Sequence, residues 1–398
     1  MKIAIVLNTS WNIYNFRLGL VKELIERGHQ VIAIAPLDNY SSKLEEAGCQ
    51  YIPLTMDSRG ANPVKDFALI FELRKLYKKC QPDIILHFTI KPNIYGTFAA
   101  WMLGIPVINN VCGLGTVFLK KGIVSMVAKL LYKIAFIYPH HIFFQNKFDQ
   151  KLFMDKSLCT ENQASLLPGS GIDLKHFNPP ETKLNTHFKF LMISRVIKDK
   201  GIEEYVAAAK ILKQKGVNAT FNLLGQLDPQ HKRGISIETF ENWKGEGFIN
   251  YLGTTNDVRT VIEDNDCVVL PSYREGTPRT LLEGAAMKKP LIATDVPGCN
   301  NVVHHNSNGL LCKLKNIESL AGQMEKMFHM KPEIRAAMGE KGRMLVENNF
   351  DEHLVIENYN YQINKFKNSG NTLKRRNLIG YLANNFKLAI NGNYQNRI

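Results

Sequence analysis

The sequence predicts an α/β protein of two domains, each a parallel sheet covered by helices, with the two sheets facing each other across a deep cleft. Three observations carry this. Short apolar runs alternate with segments of helical periodicity over residues 3–111 and again over residues 188–294, and that alternation builds parallel sheets with helices on both faces. A length of 398 residues exceeds what one hydrophobic core usually serves. Between the two series, LPGSGIDLKHFNPPETKLNTH is rich in Gly, Pro and polar residues and suits a hinge.

IAIVL (residues 3–7) reads as the first strand, and from Phe16 to Arg27 apolar positions recur at helical spacing until Gly28 ends the run. VIAIAP and YIPL are further strands. A helix follows around Phe67 to Cys80, then the strand DIILHF, a helix of small residues near Tyr95 to Met102, and the strand IPVINNV. The second series runs FKFLMIS, a helix from Glu203 to Lys215, TFNLLG, INYLG, a helix near Val258 to Glu263, CVVLPS, a helix from Arg279 to Lys288, and PLIAT. These elements divide the chain into a first domain over residues 1–180 and a second over 181–350. A closing helix over 351–366, expected to pack back on the first domain, and a basic tail over 367–398 complete it. No internal repeat of solenoid period is present.

Hydrophobic content of 45% and charged content of 22% exclude disordered, collagenous and multi-span membrane classes. A net charge of +14 implies an anionic partner: nucleic acid, a lipid surface or a phosphorylated substrate. No recognised nucleic-acid module supports the first. The seven cysteines show no CxxC pairing, which fits a reducing cytosol rather than a disulfide framework. MKIAIVLNTSW sets one Lys before an apolar run of five residues, too short for a signal-peptide core or a membrane span. The protein is therefore expected to be cytoplasmic.

Ligands of open parallel sheets bind beyond the carboxyl ends of the strands, so residues following strands are the functional candidates. PSYREGTPRTLLEGAA (Pro271 to Ala286) follows CVVL and enters a helix, with Pro278 near its first turn. Glu275 stands at the cleft. Free backbone N–H groups near Gly276 and Thr277, with the helix dipole, can bind an anionic or hydroxyl-rich ligand. Glu283 lies further along the helix, where a carboxylate can accept from two ribose hydroxyls; residue chemistry alone equally allows a helix start with exposed glutamates. In LMISRVIKDKGIEEYVAAA, Arg195 and Lys200 precede a helix, a pattern open to a diphosphate site or to a solvated basic loop. PGSGIDLKHFNP adds two glycines, Gly171 among them, with Asp173 expected to be structural. Asp264-Asn265-Asp266 reads as turn and cap chemistry rather than a metal site. In the first half there is no G-x-G-x-x-G, which argues against a dinucleotide dehydrogenase. Asn15, Arg17, Lys91, Asn93, Cys112, Gly113 and Gly115 fall at strand ends or helix starts.

Taken together, these segments resemble glycosyltransferase family 4, the large retaining family with the GT-B fold of two Rossmann-like domains. Glu275 and Glu283, with seven residues between them, match its paired-glutamate motif. The resemblance implies that Glu275, Gly276, Thr277, Pro278 and Gly171 hold the donor sugar and Glu283 the ribose, and that Arg195 and Lys200 bind the leaving diphosphate. It covers the chain to about residue 366, and its first half resembles a subgroup that extends bacterial polysaccharide or glycolipid chains. The implied donor is a UDP-sugar, with no cofactor and no metal. The implied acceptor is a polyprenyl-diphosphate glycan, met by Asn15, Arg17, Lys91, Asn93, Gly113 and Gly115. Many relatives carry a histidine where Cys112 stands, and the nearby His87 looks shifted in register. A UDP-sugar epimerase of the same architecture is the alternative.

FLKKGIVSMVAKLLYKIAFIY places Lys120, Lys121, Lys129 and Lys133 among apolar residues at helical spacing. Such a helix lies at a membrane surface or packs on its own domain. The tail adds Lys374, Arg375, Arg376, Lys387 and Arg397. A peripheral position at the inner face of the cytoplasmic membrane is expected.

Overall fold

The computed structural model describes residues 1–57, 62–114, 122–179 and 187–368. Gly115, Lys120, Lys121, Pro180 and residues 369–398 lie outside them.

The first half contains strands β1 (Lys2–Val6), β2 (Gln30–Ala35), β3 (Gln50–Pro53), β4 (Ile84–Phe88), β5 (Val107–Val111), β6 (His141–Phe144) and β7 (Ala164–Leu166). Between them run α1 (Ser10–Glu26), α2 (Ser41–Glu46), α3 (Pro63–Cys80), α4 (Thr97–Trp101), α5 (Ile123–Ala135) and α6 (Lys147–Asp155). The sheet is parallel, in the order β3-β2-β1-β4-β5-β6-β7. Its central strands are apolar on both faces because helices cover both; Ile3, Ala4, Ile5 and Val6 are fully buried.

The second half contains β8 (Phe188–Ile193), β9 (Ala219–Leu224), β10 (Asn250–Tyr251), β11 (Cys267–Leu270), β12 (Leu291–Thr294) and β13 (Gly309–Cys312). Its helices are α7 (Ile202–Gln214), α8 (Ile237–Gly245), α9 (Arg259–Glu263), α10 (Arg279–Ala286), α11 (Ile317–His329) and α12 (Pro332–Asn349), followed by α13 (Glu352–Asn368). This sheet is also parallel, ordered β10-β9-β8-β11-β12-β13. The fold is α/β with two Rossmann-like sheets.

Strands β6, β7 and β13 extend the sheets beyond the sequence reading. HIFF, ASL and GLLC are four, three and four residues long, too short to show a periodicity, and pairing with β5, β6 and β12 makes them strands. The helix expected near Tyr95 to Met102 opens as a π-helical turn over Pro92–Gly96 before α4.

The chain crosses between the halves twice at one place. Ile172 N donates to the Phe350 carbonyl at 2.9 Å, and Glu352 N donates back to the Ile172 carbonyl at 3.1 Å. Gly171 (φ +71°) makes this possible, since a Cβ there would stand 2.3 Å from Glu352 Cα. Beyond the crossing, α13 buries Val355, Ile356, Tyr359, Ile363 and Phe366 in the core of the first sheet. Among the described residues no helix is long and apolar enough to cross a membrane.

Candidate active site

In each sheet the strand order reverses once, between β1 and β4 and between β8 and β11. Chains leaving the two strands of such a switch point part to opposite faces and open a crevice at their carboxyl ends. In the second sheet the two loops bounding that crevice are those of Arg195 to Lys200 and Pro271 to Pro278.

The structure joins what the sequence offered separately. Lys200 Nζ and Glu275 Oε1 form an ion pair, and Ser272 Oγ donates to the same oxygen at 2.6 Å. Glu275 Oε2 has no partner among the described residues, which leaves it able to accept a hydroxyl. Arg195 is exposed, with no ion pair or hydrogen bond to its guanidinium among the described residues. Gly201 begins α7 at φ +75°, where a Cβ would stand 2.1 Å from the Pro271 carbonyl oxygen. A side chain there would push the two loops apart. Asp199 is held by Arg233 Nε at 3.0 Å, which keeps this carboxylate off the neighbouring cations.

Glu283 lies on α10 and is 7% exposed. Burial pushes its carboxyl above the ordinary glutamate value, and Arg279, whose Nε lies 3.1 Å from Oε1, opposes that shift. Arg279 also donates from Nη1 to Ser170 Oγ at 3.3 Å and to the Gly171 carbonyl at 3.2 Å, and its guanidinium lies 5.2 Å from the centre of the Phe16 ring. Sequence reasoning missed this arginine; its spacing of four from Glu283 on one helix was the available signal.

Gly276, Thr277 and Arg274 are gripped by the first domain. A Cβ on Gly276 would stand 2.3 Å from the Cys112 carbonyl oxygen, and one on Gly113 (φ +127°) 3.2 Å from Gly276 N. Asn146 Nδ2 donates to the Gly276 carbonyl at 3.1 Å, and Thr277 Oγ1 donates to the Gln145 carbonyl at 3.0 Å. Arg274 forms an ion pair with Asp149, the two side chains being 9% and 1% exposed. Pro278, extended rather than helical, is the N-cap of α10. Nothing local in the sequence pointed to Asp149, Gln145 or Asn146.

On the first sheet the expected residues divide. Arg17 is buried, stacked 4.7 Å from the centre of the Phe88 ring, with Nη1 donating to the Phe16 carbonyl at 2.9 Å. Asn93 is buried and donates from Nδ2 to the Asn110 carbonyl at 2.8 Å. Asn15 Nδ2 is engaged locally with the Trp11 carbonyl at 2.9 Å. Lys91 does not stand free beside the cleft: it is paired at 2.6 Å with Asp66 of α3. His87 lies within β4, wholly buried, with Nε2 2.9 Å from Tyr77 Oη and Nδ1 3.1 Å from Asn109 Oδ1. Burial takes its imidazole down to about 3, so it stays neutral. It does not substitute for a cleft histidine; Cys112 lies at the cleft, with Sγ 3.9 Å from Arg17 Nη2.

Four buried polar atoms near this switch point have no partner among the described residues: Asn8 Oδ1, Arg17 Nε, Thr89 Oγ1 and Asn93 Oδ1. They mix an N–H donor, two carbonyl acceptors and a hydroxyl, a complement to groups that both give and take hydrogen bonds. Asp264, Asn265 and Asp266 have structural roles. Asp264 closes α9, Asn265 accepts from Asn222 Nδ2 at 2.7 Å, and Asp266 accepts from Lys189 N at 2.8 Å. Asp173 accepts from Lys175 N and His176 N at 2.9 and 3.0 Å.

Residues 175–344 match the family described as Glycosyl transferases group 1, and residues 2–146 that described as Glycosyl transferase 4-like. A relative in Campylobacter jejuni, the N,N'-diacetylbacillosaminyl-diphospho-undecaprenol alpha-1,3-N-acetylgalactosaminyltransferase, is 30% identical over 90% of this chain and 97% of its own. The Escherichia coli UDP-Gal:alpha-D-GlcNAc-diphosphoundecaprenol alpha-1,3-galactosyltransferase is 26% identical over 68% of this chain and 72% of its own. Among solved structures, sucrose-phosphate synthase of Thermosynechococcus elongatus gives a TM-score of 0.76 at 18% identity, over 93% of this chain and 100% of that one. A glycosyltransferase of Rickettsia africae gives 0.73 at 20%, over 92% and 99%. At such identity these two likenesses carry the fold alone.

Proposed function

The chain belongs to the GT-B glycosyltransferases of the 4-like and group 1 families, and from that premise we propose which transfer it performs. It moves a hexose or N-acetylhexosamine from a UDP-sugar to a polyprenyl-diphosphate-linked glycan, with retention of configuration, in bacterial surface polysaccharide or glycan assembly. The observation that carries the reading is the grouping of Arg195, Lys200 and Glu275 at the second sheet's switch point. Substrate class comes from the relatives, whose names specify undecaprenol-diphosphate acceptors and, in one case, a UDP-galactose donor. Both are transferases, and no observation favours the epimerase.

In the proposed reaction the bond from the anomeric carbon to the β-phosphate oxygen breaks. An acceptor hydroxyl attacks from the same face, and its proton passes to the departing phosphate. Negative charge develops on the diphosphate, where Arg195 and Lys200 stabilise it without a metal. Glu275 Oε2, with the backbone of Gly276 and Thr277, receives the donor sugar, and Glu283 the ribose. The unpartnered mixture at Asn8, Arg17, Thr89 and Asn93 suits acceptor-sugar hydroxyls better than a diphosphate, which has no proton to give two carbonyl oxygens. The enzyme works at the inner face of the cytoplasmic membrane, with Lys129 and Lys133 toward anionic headgroups.

The test is incubation of the purified chain with UDP-Glc, UDP-Gal, UDP-GlcNAc and UDP-GalNAc and polyprenyl-diphosphate glycan acceptors. Product mass and anomeric configuration are read by mass spectrometry and NMR. One donor turning over to an α-linked product is expected; no transfer from any donor, or a β-linked product, would sink the reading.

A further inference from the structure

Arg279 is the first residue of α10, and its guanidinium reaches three separate segments of the chain. Nε lies 3.1 Å from Glu283 Oε1, one turn along the same helix. Nη1 donates to Ser170 Oγ at 3.3 Å and to the Gly171 carbonyl at 3.2 Å, both on the connection from β7 to β8. The charge faces the Phe16 ring of α1, 5.2 Å from its centre. An i, i+4 ion pair that served the helix alone would need none of the further contacts. Here the two side chains are only 17 and 10% exposed, and the arginine spans both halves of the molecule.

Each of its partners is itself held. The Phe16 ring meets Trp11 edge-on, with centroids 5.0 Å apart and planes at 85°, and the Phe16 carbonyl accepts from Arg17 Nη1 at 2.9 Å. Phe16 thus stands between Asn15 and Arg17, residues of the first half. Gly171 adjoins the crossing at which Ile172 bonds to Phe350 and Glu352. Burial and then the nearby Asp173 push the Glu352 carboxyl up, and Arg279 opposes that shift. Helix α1, the connection from β7, the start of α10 and the start of α13 therefore converge on one cation. A tilt of the first half against the second moves Phe16 relative to α10.

Glu283 has no other charged partner among the described residues. Of the elements packed on α10, strands β11 and β12 carry no charge, and Arg343 of α12 donates to the Phe177 and Ala286 carbonyls and pairs with Glu347. Glu283 Oε2 accepts from no described residue, so the contact of Oε1 with Arg279 sets the orientation of the carboxylate. Burial disfavours the ionised form and the adjacent guanidinium favours it. An ionised, oriented carboxylate accepts from two neighbouring hydroxyls, whereas a rotated or protonated one does not.

We propose that Arg279 is a positioning residue that ties nucleotide binding by Glu283 to the seating of the first half's α1. With Phe16 in place against the guanidinium, Arg279 holds the Glu283 carboxylate in its accepting orientation. The role rests on the proposed contact of Glu283 with the ribose. Donor affinity then depends on Phe16, a residue of the opposite domain, through two intervening side chains.

Isothermal titration calorimetry of the full-length chain with UDP alone tests this without any transfer step. The variants are Arg279→Ala, Arg279→Lys, Phe16→Leu and Phe16→Tyr, with Phe16→Leu made also in a Glu283→Gln background. Arg279→Ala is expected to weaken UDP binding about tenfold. Arg279→Lys should fall between it and the parent, since an ammonium keeps the charge and loses the fork. Phe16→Leu should weaken binding about threefold while Phe16→Tyr, which keeps the ring, matches the parent. In the Glu283→Gln background Phe16→Leu should have no further effect, because its influence passes through the carboxylate. Between about pH 5 and 8, acid-side weakening should begin at higher pH in Arg279→Ala than in the parent, burial there being unopposed. Donor KM should follow the UDP Kd while kcat stays within about twofold. Should Arg279→Ala fold poorly, Arg279→Lys and the Phe16 variants carry the test. Equal losses from Phe16→Leu in the two backgrounds, or an unshifted pH onset in Arg279→Ala, would overturn the role. Parent-like UDP binding in Arg279→Ala would overturn this role alone, whereas absence of UDP binding from the parent would overturn the donor reading and the role with it.

Discussion

Arg274 and Asp149, 125 residues apart in sequence, form an ion pair buried between the two domains. The arginine adjoins Glu275, and the carboxylate is fixed by its own role in α6, where Asp149 N donates to Asn146 Oδ1 at 2.8 Å and Asn146 Nδ2 donates to Asp149 Oδ2 at 3.2 Å. The proposed donor loop thus takes its position partly from the domain opposite. Removing one partner strands a buried charge, so Asp149→Ala is expected to cost about 3–5 kcal/mol. A double change to apolar residues, Asp149→Leu with Arg274→Met, is expected to recover most of that. Urea denaturation of the two variants checks it; equal losses would show that the pair does not couple.

Arg195 and Lys200 are expected to separate stability from catalysis. Arg195→Ala removes an exposed cation with no partner among the described residues, so the melting temperature stays within error while kcat falls on the order of a hundredfold. Lys200→Ala has a comparable kinetic effect and also leaves Glu275 with Ser272 as its remaining hydrogen-bond donor among the described residues. Its donor KM should therefore rise as well. Initial rates across donor concentrations distinguish the two; a melting shift in Arg195→Ala would indicate a structural partner for the guanidinium.

The sequence made the second sheet and its loops legible because their signals are local. CVVL, Pro278 and Gly201 each mark a boundary within a few residues, and Glu275 and Arg195 follow directly from those boundaries. What it left out depends on long-range geometry. The Lys200–Glu275 pair joins positions 75 apart, and the grip of Asn146 on Gly276 joins positions 130 apart. His87 illustrates the limit on the first sheet: which face of a wholly buried strand a histidine occupies is set by register with β5, where it sits opposite Asn109. Lys91 was read as available because Asp66, on another helix, carries no mark of its orientation.

Gly276 permits a close approach of the two domains, and Gly276→Ala is expected to hold them apart. The added Cβ would collide with the Cys112 carbonyl at 2.3 Å and Gln145 Oε1 at 2.7 Å, whereas each domain's own core is untouched. Circular dichroism should match the parent, small-angle scattering should show a larger radius of gyration, and transfer should fall at least about a hundredfold if closure completes the site. An unchanged radius with unchanged turnover would mean the loop accommodates the methyl group.

Glu283 sets an acid-side dependence whose sign follows from its environment. Burial raises its folded-state pKa above the ordinary value of 4.5, the opposing pull of Arg279 notwithstanding. Between the unfolded and folded values the native state holds a proton that the unfolded state has released. The associated stabilisation is therefore full below about pH 4.5 and is lost as pH rises through the folded pKa. Glu283→Gln removes this dependence, so its stability relative to the parent should increase with pH over that window and then level. Activity should run the other way: a protonated Glu283 has lost one hydroxyl acceptor, so the parent's donor KM should rise as pH falls through the same window while that of the glutamine variant stays flat. Denaturant midpoints and donor KM values from pH 4 to 7 read both effects. Parallel KM profiles for parent and variant would remove Glu283 from ribose binding, while parallel midpoints would remove its raised pKa.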